Sequence, residues 1–392
     1  MASTPTNGDD VIFGTDADNT INALGGDDLI FGGLGDDILQ GSTGNDQLSG
    51  GIGLDLLVGG SGFDTAFYGF SADAVFADLN DGFGFVVALG QAADKDQFFS
   101  IENLAGGFGN DDLRGNVAAN RISGNSGNDQ INGNEGNDTL TGGNGNDFIS
   151  GGDGNDNIDG GAGNDQIRGG SGGDVMTGGT GVDTLDYGGF GSAVTILLGS
   201  RLASGGDAGN DVISGFENVI GSQFDDQLSG TRGANLIQGG EGGDTISGFA
   251  GSDHLRGQNG NDIILGGSGD DLILGQAGVD ILTGGNGADR FFFESITDSG
   301  LPAALRDVIT DFAQGSDRIE VFAIDANDAT VTDEGFAFIG TADFTSGVAG
   351  EVRYTQLNGT TVISFRTGAA GAADMRIVLD GLVNLTAADF LL

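Results

Sequence analysis

Gly142-Gly-Asn-Gly-Asn-Asp-Phe-Ile-Ser150 repeats a pattern already present at Gly32-Gly-Leu-Gly-Asp-Asp-Ile-Leu-Gln40: G-G-x-G-x-D-x-U-x, where U is a large apolar residue. Outward from these two stretches, the sixth position keeps its register without a slip through three arrays. It falls at Asp10, Asn19, Asp28, Asp37, Asp46, Asp55 and Asp64; at Asp111, Asn120, Asp129, Asp138, Asp147, Asp156, Asp165, Asp174 and Asp183; and at Asp226, Asn235, Asp244, Asp253, Asp262, Asp271, Asp280 and Asp289. Two residues after each stands U, as at Ile12, Ile21, Ile30, Leu39, Leu48 and Leu57, with only Ala66 small there in the first array. Every array has Asn in its second unit. The segments leading into the second and third arrays also match, Asp96-Gln-Phe-Phe-Ser-Ile-Glu102 beside Asp211-Val-Ile-Ser-Gly-Phe-Glu217. One module has been duplicated and then followed by a different C-terminal region.

Of 392 residues 80 are glycine and only 2 proline, which excludes a collagen-like chain. The 58 Asp and Glu against 13 Lys and Arg give a formal charge of −45, which repels nucleic acid and anionic membranes and opposes the chain's own compaction. Without cysteine there is no disulfide, thiolate metal site or cysteine nucleophile. No stretch of eighteen apolar residues is present to span a membrane, and Met1-Ala-Ser-Thr-Pro-Thr-Asn7 has neither the basic nor the apolar region of a cleavable secretory leader. Export by another route is expected. The repeats start within about ten residues of Met1, so no segment is expected to cover the first coil.

A run as short as x-U-x supports only a brief strand, and the flanking glycines supply the left-handed angles of tight turns. Strand and turn alternate, so two nonapeptides make one coil and unit i stacks under unit i+2 at about 4.8 Å. The expected fold is all-β: a right-handed parallel β-roll, or β-solenoid, with U side chains forming a thin core and a β-rich C-terminal cap. The expected divisions are array one at 1–66, a β segment at 67–105, array two at 106–186, a β segment at 187–220, array three at 221–292 and the cap at 293–392. The Asn or Asp of the fifth position is read as a left-handed turn residue.

Stacking brings the sixth-position carboxylates into rows. Asp oxygens from neighbouring rungs and turn carbonyls make a flexible cage of six or so hard ligands, which suits Ca²⁺ better than Mg²⁺ or a soft metal. Every sixth-position Asp named above is a candidate ligand, whereas Asn19, Asn120 and Asn235 predict weak or vacant sites. An array of n units offers at most n − 2 positions between coils. Up to about 18 Ca²⁺ would then bring −45 to about −9.

The repeats resemble those of the RTX (repeats-in-toxin) family of bacterial proteins over nearly all of residues 8 to 292. The Ala118-Ala119-Asn120 and Gly233-Ala234-Asn235 units and the Phe-Glu-Asn-Val-Ile-Gly stretch from Phe216 fit the same family. That resemblance implies export through a type I secretion apparatus, an extracellular or cell-surface location, and calcium as the ligand. In the tail, Glu351-Val-Arg-Tyr354 and Thr361-Val-Ile-Ser-Phe365 flank Asn358-Gly359, a strong hairpin signal. The last segment, from Met375 to Leu392, resembles the C-terminal domain of serralysin-type secreted proteins, which implies an uncleaved type I secretion signal. The loop Thr367-Gly-Ala-Ala-Gly-Ala-Ala-Asp374 is poorer in Asp and Gly than in those relatives, so no further calcium is expected there.

Catalytic signals are sparse. His254 is the only histidine and cannot form the paired-histidine zinc motif of a metalloprotease. Gly169-Gly-Ser-Gly-Gly173 spells G-x-S-x-G but lies inside a repeat, not at a strand-to-helix elbow. Acidic pairs such as Asp36-Asp37 are products of the repeat, and Glu102 and Glu217 read as structural. The expected protein is a secreted, non-enzymatic, calcium-binding scaffold. One reading makes it a structural, self-assembling component of an S-layer, filament or biofilm, with copies of itself as partners. The alternative is an accessory module that binds cell-surface polysaccharide. Neither involves nucleic acid or membrane insertion. Extracellular modules bind calcium at about 10⁻⁴ to 10⁻³ M, so the chain is expected to stay expanded in the cytosol and to fold outside.

Overall fold

The computed structural model describes residues 5–86, 95–327, 334–368 and 372–392. These residues form strands, turns and short 3₁₀ segments, and no helix among them is long and apolar enough to cross a membrane. The chain divides into two compact units. The first holds Met1–Leu185 with Asp207–Phe216, the second Asp186–Gly206 with Glu217–Leu392.

In each full repeat a strand of six or seven residues starts just after the sixth-position residue. Phe148–Asp153 is typical: Ile149 and Gly151 point inward, while Phe148, Ser150 and Gly152 lie half-buried. The inward glycine is dictated by space, because a Cβ on Gly151 would lie 2.2 Å from Asp156 Oδ2 and 2.3 Å from the Gly169 carbonyl. Strands pair in parallel with the strand two units on. In the first unit Ile131 registers with Ile149 and Ile149 with Ile167, and on the other sheet Leu140 registers with Ile158 and Ile158 with Met176. The same step relates Ile246, Ile264 and Leu282 in the second unit. All of these side chains are buried, each contributing about 1.5–3 kcal/mol relative to exposure. Each unit is thus a parallel β-roll with an aliphatic column behind each sheet, as the repeat predicts.

The β segments between arrays stay in the stack. After Thr65–Phe67, strand Val75–Asp78 pairs antiparallel with Phe83–Val86, which pairs antiparallel with Asp96–Phe99. The excursion then returns to parallel pairing, Phe98 on Leu57 and Leu104 on Ala66. In the second unit Thr195–Leu197 pairs antiparallel with Leu202–Ser204 and in parallel with Gln227–Ser229.

At the C-terminal end Arg318–Glu320 and Phe390–Leu391 continue one sheet, and Val308–Ile309 and Met375–Asp380 the other. The antiparallel hairpin Glu351–Leu357 with Thr360–Arg366 adds to the latter. Its turn has φ of 54° at Asn358 and 88° at Gly359, the two left-handed residues of a type I′ turn that Asn-Gly favours. A buried ion pair, Arg366 with Glu351, and edge-to-face Phe336–Phe365 packing hold the hairpin in place. Asp374 Oδ2 accepts the Thr367 N–H at 2.8 Å, while residues 369–371 of that loop lie outside the described residues.

One expectation is corrected. Among the described residues no fifth-position Asn or Asp is left-handed. These side chains instead form a ladder: Asn128 Oδ1 accepts the Asn146 N–H at 2.8 Å, and Asn146 Oδ1 accepts the Asn164 N–H at 2.7 Å. The position selects for an acceptor that reaches the rung above, not for a backbone angle. The left-handed residues of the repeat are those of the second and fourth positions, most of them glycine. At Gly163, φ is +136° and a Cβ would lie 1.7 Å from the Gly145 carbonyl. Gly163→Ala is expected to destabilise the calcium-loaded protein by at least the ~1–2 kcal/mol of a left-handed alanine, read as a lower melting temperature. Gly189→Ala, which meets nothing within 4 Å, should leave it unchanged.

Candidate metal centres

The sixth-position Asp closes each turn and opens the next strand, so its carboxyl group is carried under the stack. Asp147 and Asp156 are each 2 % exposed. One oxygen of each is engaged by the backbone two repeats earlier. Asp111 N–H donates to Asp129 Oδ1, Asp129 N–H to Asp147 Oδ1 and Asp147 N–H to Asp165 Oδ1, each at 2.8 Å. A second row runs Asn120, Asp138, Asp156, Asp174, and the second unit repeats the arrangement from Asp226 to Asp280 and from Asn235 to Asp289. In the first array Asp28 is joined to Asp46 and Asp46 to Asp64, while Asp37 is joined to Asp55. Asp183 Oδ1 accepts from Asp165 at 2.9 Å.

The rows run beyond the nonapeptides. Asp96 accepts from Asp55, Glu102 from Asp64, Asp211 from Asp174, Asp307 from Asp280 and Asp317 from Asp289. None of these five was expected as a rung member. The signal for four of them is the D-x-U pattern they share with the repeats: Asp96-Gln-Phe, Asp211-Val-Ile, Asp307-Val-Ile and Asp317-Arg-Ile.

The other oxygen defines the candidate centres. Oδ2 is buried and has no hydrogen-bond partner in Asp28, Asp37, Asp46, Asp55 and Asp64, in Asp129, Asp138, Asp147, Asp156, Asp165 and Asp174, in Asp244, Asp253, Asp262, Asp271, Asp280 and Asp289, and in Asp307. Leaving one such group unsatisfied costs about 1–3 kcal/mol, more when it is charged. Burial, reinforced by neighbouring carboxylates, pushes Asp129 up to about 7 and Asp244 and Asp307 up to about 8. A bare ladder therefore resists ionisation at neutral pH unless positive charge arrives. The inward glycine leaves room for it, since a Cβ on Gly142 would fill the space 2.3 Å from Asp147 Oδ2 and 2.6 Å from the Gly160 carbonyl. Among the described residues no three acidic, His or Cys side chains cluster as a metal cage, so backbone carbonyls must complete any coordination sphere. Hard oxygens alone, in a glycine-built cradle, fit calcium. When bound, the ion supplies the charge that these carboxylates lack.

Asp10, Asp111 and Asp226 differ from the rest. Their Oδ2 atoms accept the N–H four residues earlier, from Thr6 at 2.6 Å, Gly107 at 2.6 Å and Ser222 at 2.5 Å. Asn120 and Asn235 make the same turn through Oδ1, and their amides donate to the Glu102 and Glu217 carbonyls at 2.7 and 2.6 Å. Of the motif look-alikes, Ser171 ends strand Gln166–Ser171 and its hydroxyl bonds Asp153, while His254 Nε2 accepts from Arg256 Nε at 3.0 Å.

Residues 4–39, 31–66, 105–140 and 132–167 match the RTX calcium-binding nonapeptide repeat, and residues 174–392 match the peptidase M10 serralysin C terminal. No curated protein matches. Among solved structures, the AlgE6R3 subunit of the Azotobacter vinelandii mannuronan C5-epimerase is 28% identical over 43% of this chain and 78% of its own, with a TM-score of 0.27. The AlgE6R2 subunit of the same enzyme is 31% identical over 44% and 91%, at 0.25. The extracellular lipase LipA of Serratia marcescens is 18% identical over 68% and 40%, at 0.18.

Asp147→Ala is expected to lower both the number of calcium ions bound, counted by equilibrium dialysis, and the melting temperature. Asp159→Ala, at an exposed position, should change neither. The pH dependence has opposite signs with and without the ion. A carboxyl group raised in the folded state, from 3.8 to about 7 at Asp129 and about 8 at Asp244, costs nothing below pH 4 and destabilises progressively as pH rises through those values. Strand content of the calcium-free chain, followed by circular dichroism, should therefore increase as pH falls from 8 to 4. The calcium concentration needed for half-saturation should increase over the same range, because protons compete for the same oxygens.

Proposed function

The chain belongs to the serralysin C-terminal family and carries RTX calcium-binding nonapeptide repeats, which makes it a calcium-binding protein exported by a bacterial type I route; from that premise we propose that it is a non-enzymatic structural component of the cell surface or extracellular matrix, folded by the calcium it meets outside. The sixth-position carboxylates with an open oxygen, and Asp307, are its ligands, and ions bind between stacked rungs. Cytosolic calcium is too low to fill such sites, which keeps the chain threadable during export, and millimolar calcium then closes the rolls.

The observation that carries the assembly reading is an aromatic row on the outside of the first unit. Phe13 stacks on Phe31 with centroids 5.1 Å apart, Phe70 lies 5.8 Å from Phe31 and 5.5 Å from Phe67, and Phe13 and Phe70 are 57 % and 73 % exposed. A contiguous apolar surface on so acidic a protein is the mark of a contact face, whereas scattered hydrophobic residues need no explanation. The second reading, a polysaccharide-binding module, is supported by a groove in the second unit where exposed Phe249 stands with Arg232, Thr231 and Ser229. Aromatic faces and hydroxyl or guanidinium donors are the groups that hold sugar rings.

Electron microscopy and light scattering of the calcium-loaded protein should show filaments or lattices, and Phe13→Ser with Phe70→Ser should disperse them while leaving the circular dichroism spectrum unchanged. Dispersed monomers at high concentration would contradict the assembly reading. Binding of those monomers on a glycan array would favour the second.

A further inference from the structure

One backbone angle sorts the rungs into two classes. In the nonapeptide rungs with an open Oδ2, the residue four before the Asp is left-handed: φ is +113° at Gly33, +117° at Gly143, +110° at Gly152 and +112° at Gly267. The rule holds even where that residue carries a side chain, as at Ser42, Asn125, Asn134, Phe249, Gln258 and Gln276, with φ between 68° and 79°. In this conformation the oxygen finds no N–H. In the six rungs of Asp10, Asn19, Asp111, Asn120, Asp226 and Asn235 the corresponding residue is not left-handed, and its N–H closes onto the side-chain oxygen at 2.5–2.7 Å.

Two of the closed Asp rungs satisfy their other oxygen as well. Asp111 Oδ1 accepts the Val75 N–H at 2.8 Å, and Asp226 Oδ1 accepts the Val194 N–H at 2.7 Å and the Ser222 hydroxyl at 2.8 Å. In the Asn120 and Asn235 rungs the amide N–H₂ points at a carbonyl, donating in place of a cation, and in the Asn19 rung it donates to the Thr15 hydroxyl at 3.0 Å. Among the nonapeptides the closed rungs occur as consecutive pairs, one per sheet, so each pair makes one whole coil at the head of an array; Asp317, in the tail, is closed by the Ala313 N–H at 2.7 Å. The segments between arrays pair onto the second and third of these coils through buried residues: Ala77 registers with Leu113 and Leu104 with Ile122 in the first unit, Ile196 with Leu228 and Val219 with Ile237 in the second.

We infer that Asp10, Asp111 and Asp226 bind no calcium, and that the Asp111–Asn120 and Asp226–Asn235 coils fold without it and serve as templates on which the calcium-binding coils of their arrays add. A stacked-repeat chain gains stability from each rung and each rung interface, so growth starts most readily where a coil already stands. The inference rests on calcium being the ligand, and two measurements on the unaltered full chain test it separately from that reading. A crystal structure grown in calcium should show ions bonded to Asp129 and Asp244 and none bonded to Asp10, Asp111 or Asp226; an ion on any of these three overturns the assignment. Hydrogen exchange in chelator should be at least roughly tenfold slower over residues 96–123 and 218–237 than over 157–180 and 254–275. Uniform exchange across the four segments overturns the template role, even if calcium fills every other rung.

Discussion

A row of carboxylates buried at rung spacing is the constraint from which the rest follows. Each Asp gives one oxygen to the N–H of a neighbouring rung, which fixes its rotamer, and that contact aims the second oxygen into a space with no protein donor. At about 4.8 Å separation in a medium of low polarity, such a row repels itself and resists ionisation. Divalent cations convert this liability into the stabilising term of the fold, and they account for a chain of −45 that still packs rolls behind single columns of aliphatic side chains.

Glycine makes the constraint possible. The glycine at the first position of the repeat keeps the cradle empty, the one at the second turns its N–H away from the carboxylate, and the one at the fourth lets successive turns approach to a distance no Cβ would tolerate, as at Gly163 over Gly145. Hydrophobic burial in this architecture is modest and evenly distributed. The specific information lies in the turns, where one residue's φ decides whether a carboxylate meets an N–H or faces open space.

Much of this was legible in the sequence. The nine-residue register placed the U columns and the parallel pairing of unit i with i+2, because period and side-chain chemistry are written in the residues themselves. Asn358-Gly359 gave its hairpin for the same reason. The fifth-position ladder was not legible, since Asn and Asp are as common in left-handed turns as they are as acceptors, and only the neighbouring rung distinguishes the two uses. Asp111 and Asp147 carry the same letter in the same register, yet one is closed and the other open. The difference lies four residues upstream, in an angle that Gly107 and Gly143 do not reveal by identity. Asp307 escaped because its rung is built by the tail rather than by a nonapeptide.

The most direct measurement is small-angle scattering of the full chain at neutral pH, taken from chelator to millimolar calcium. The account predicts an expanded chain in chelator that contracts cooperatively to a compact form as calcium is added. A particle already compact in chelator, and unaltered by calcium, would contradict it.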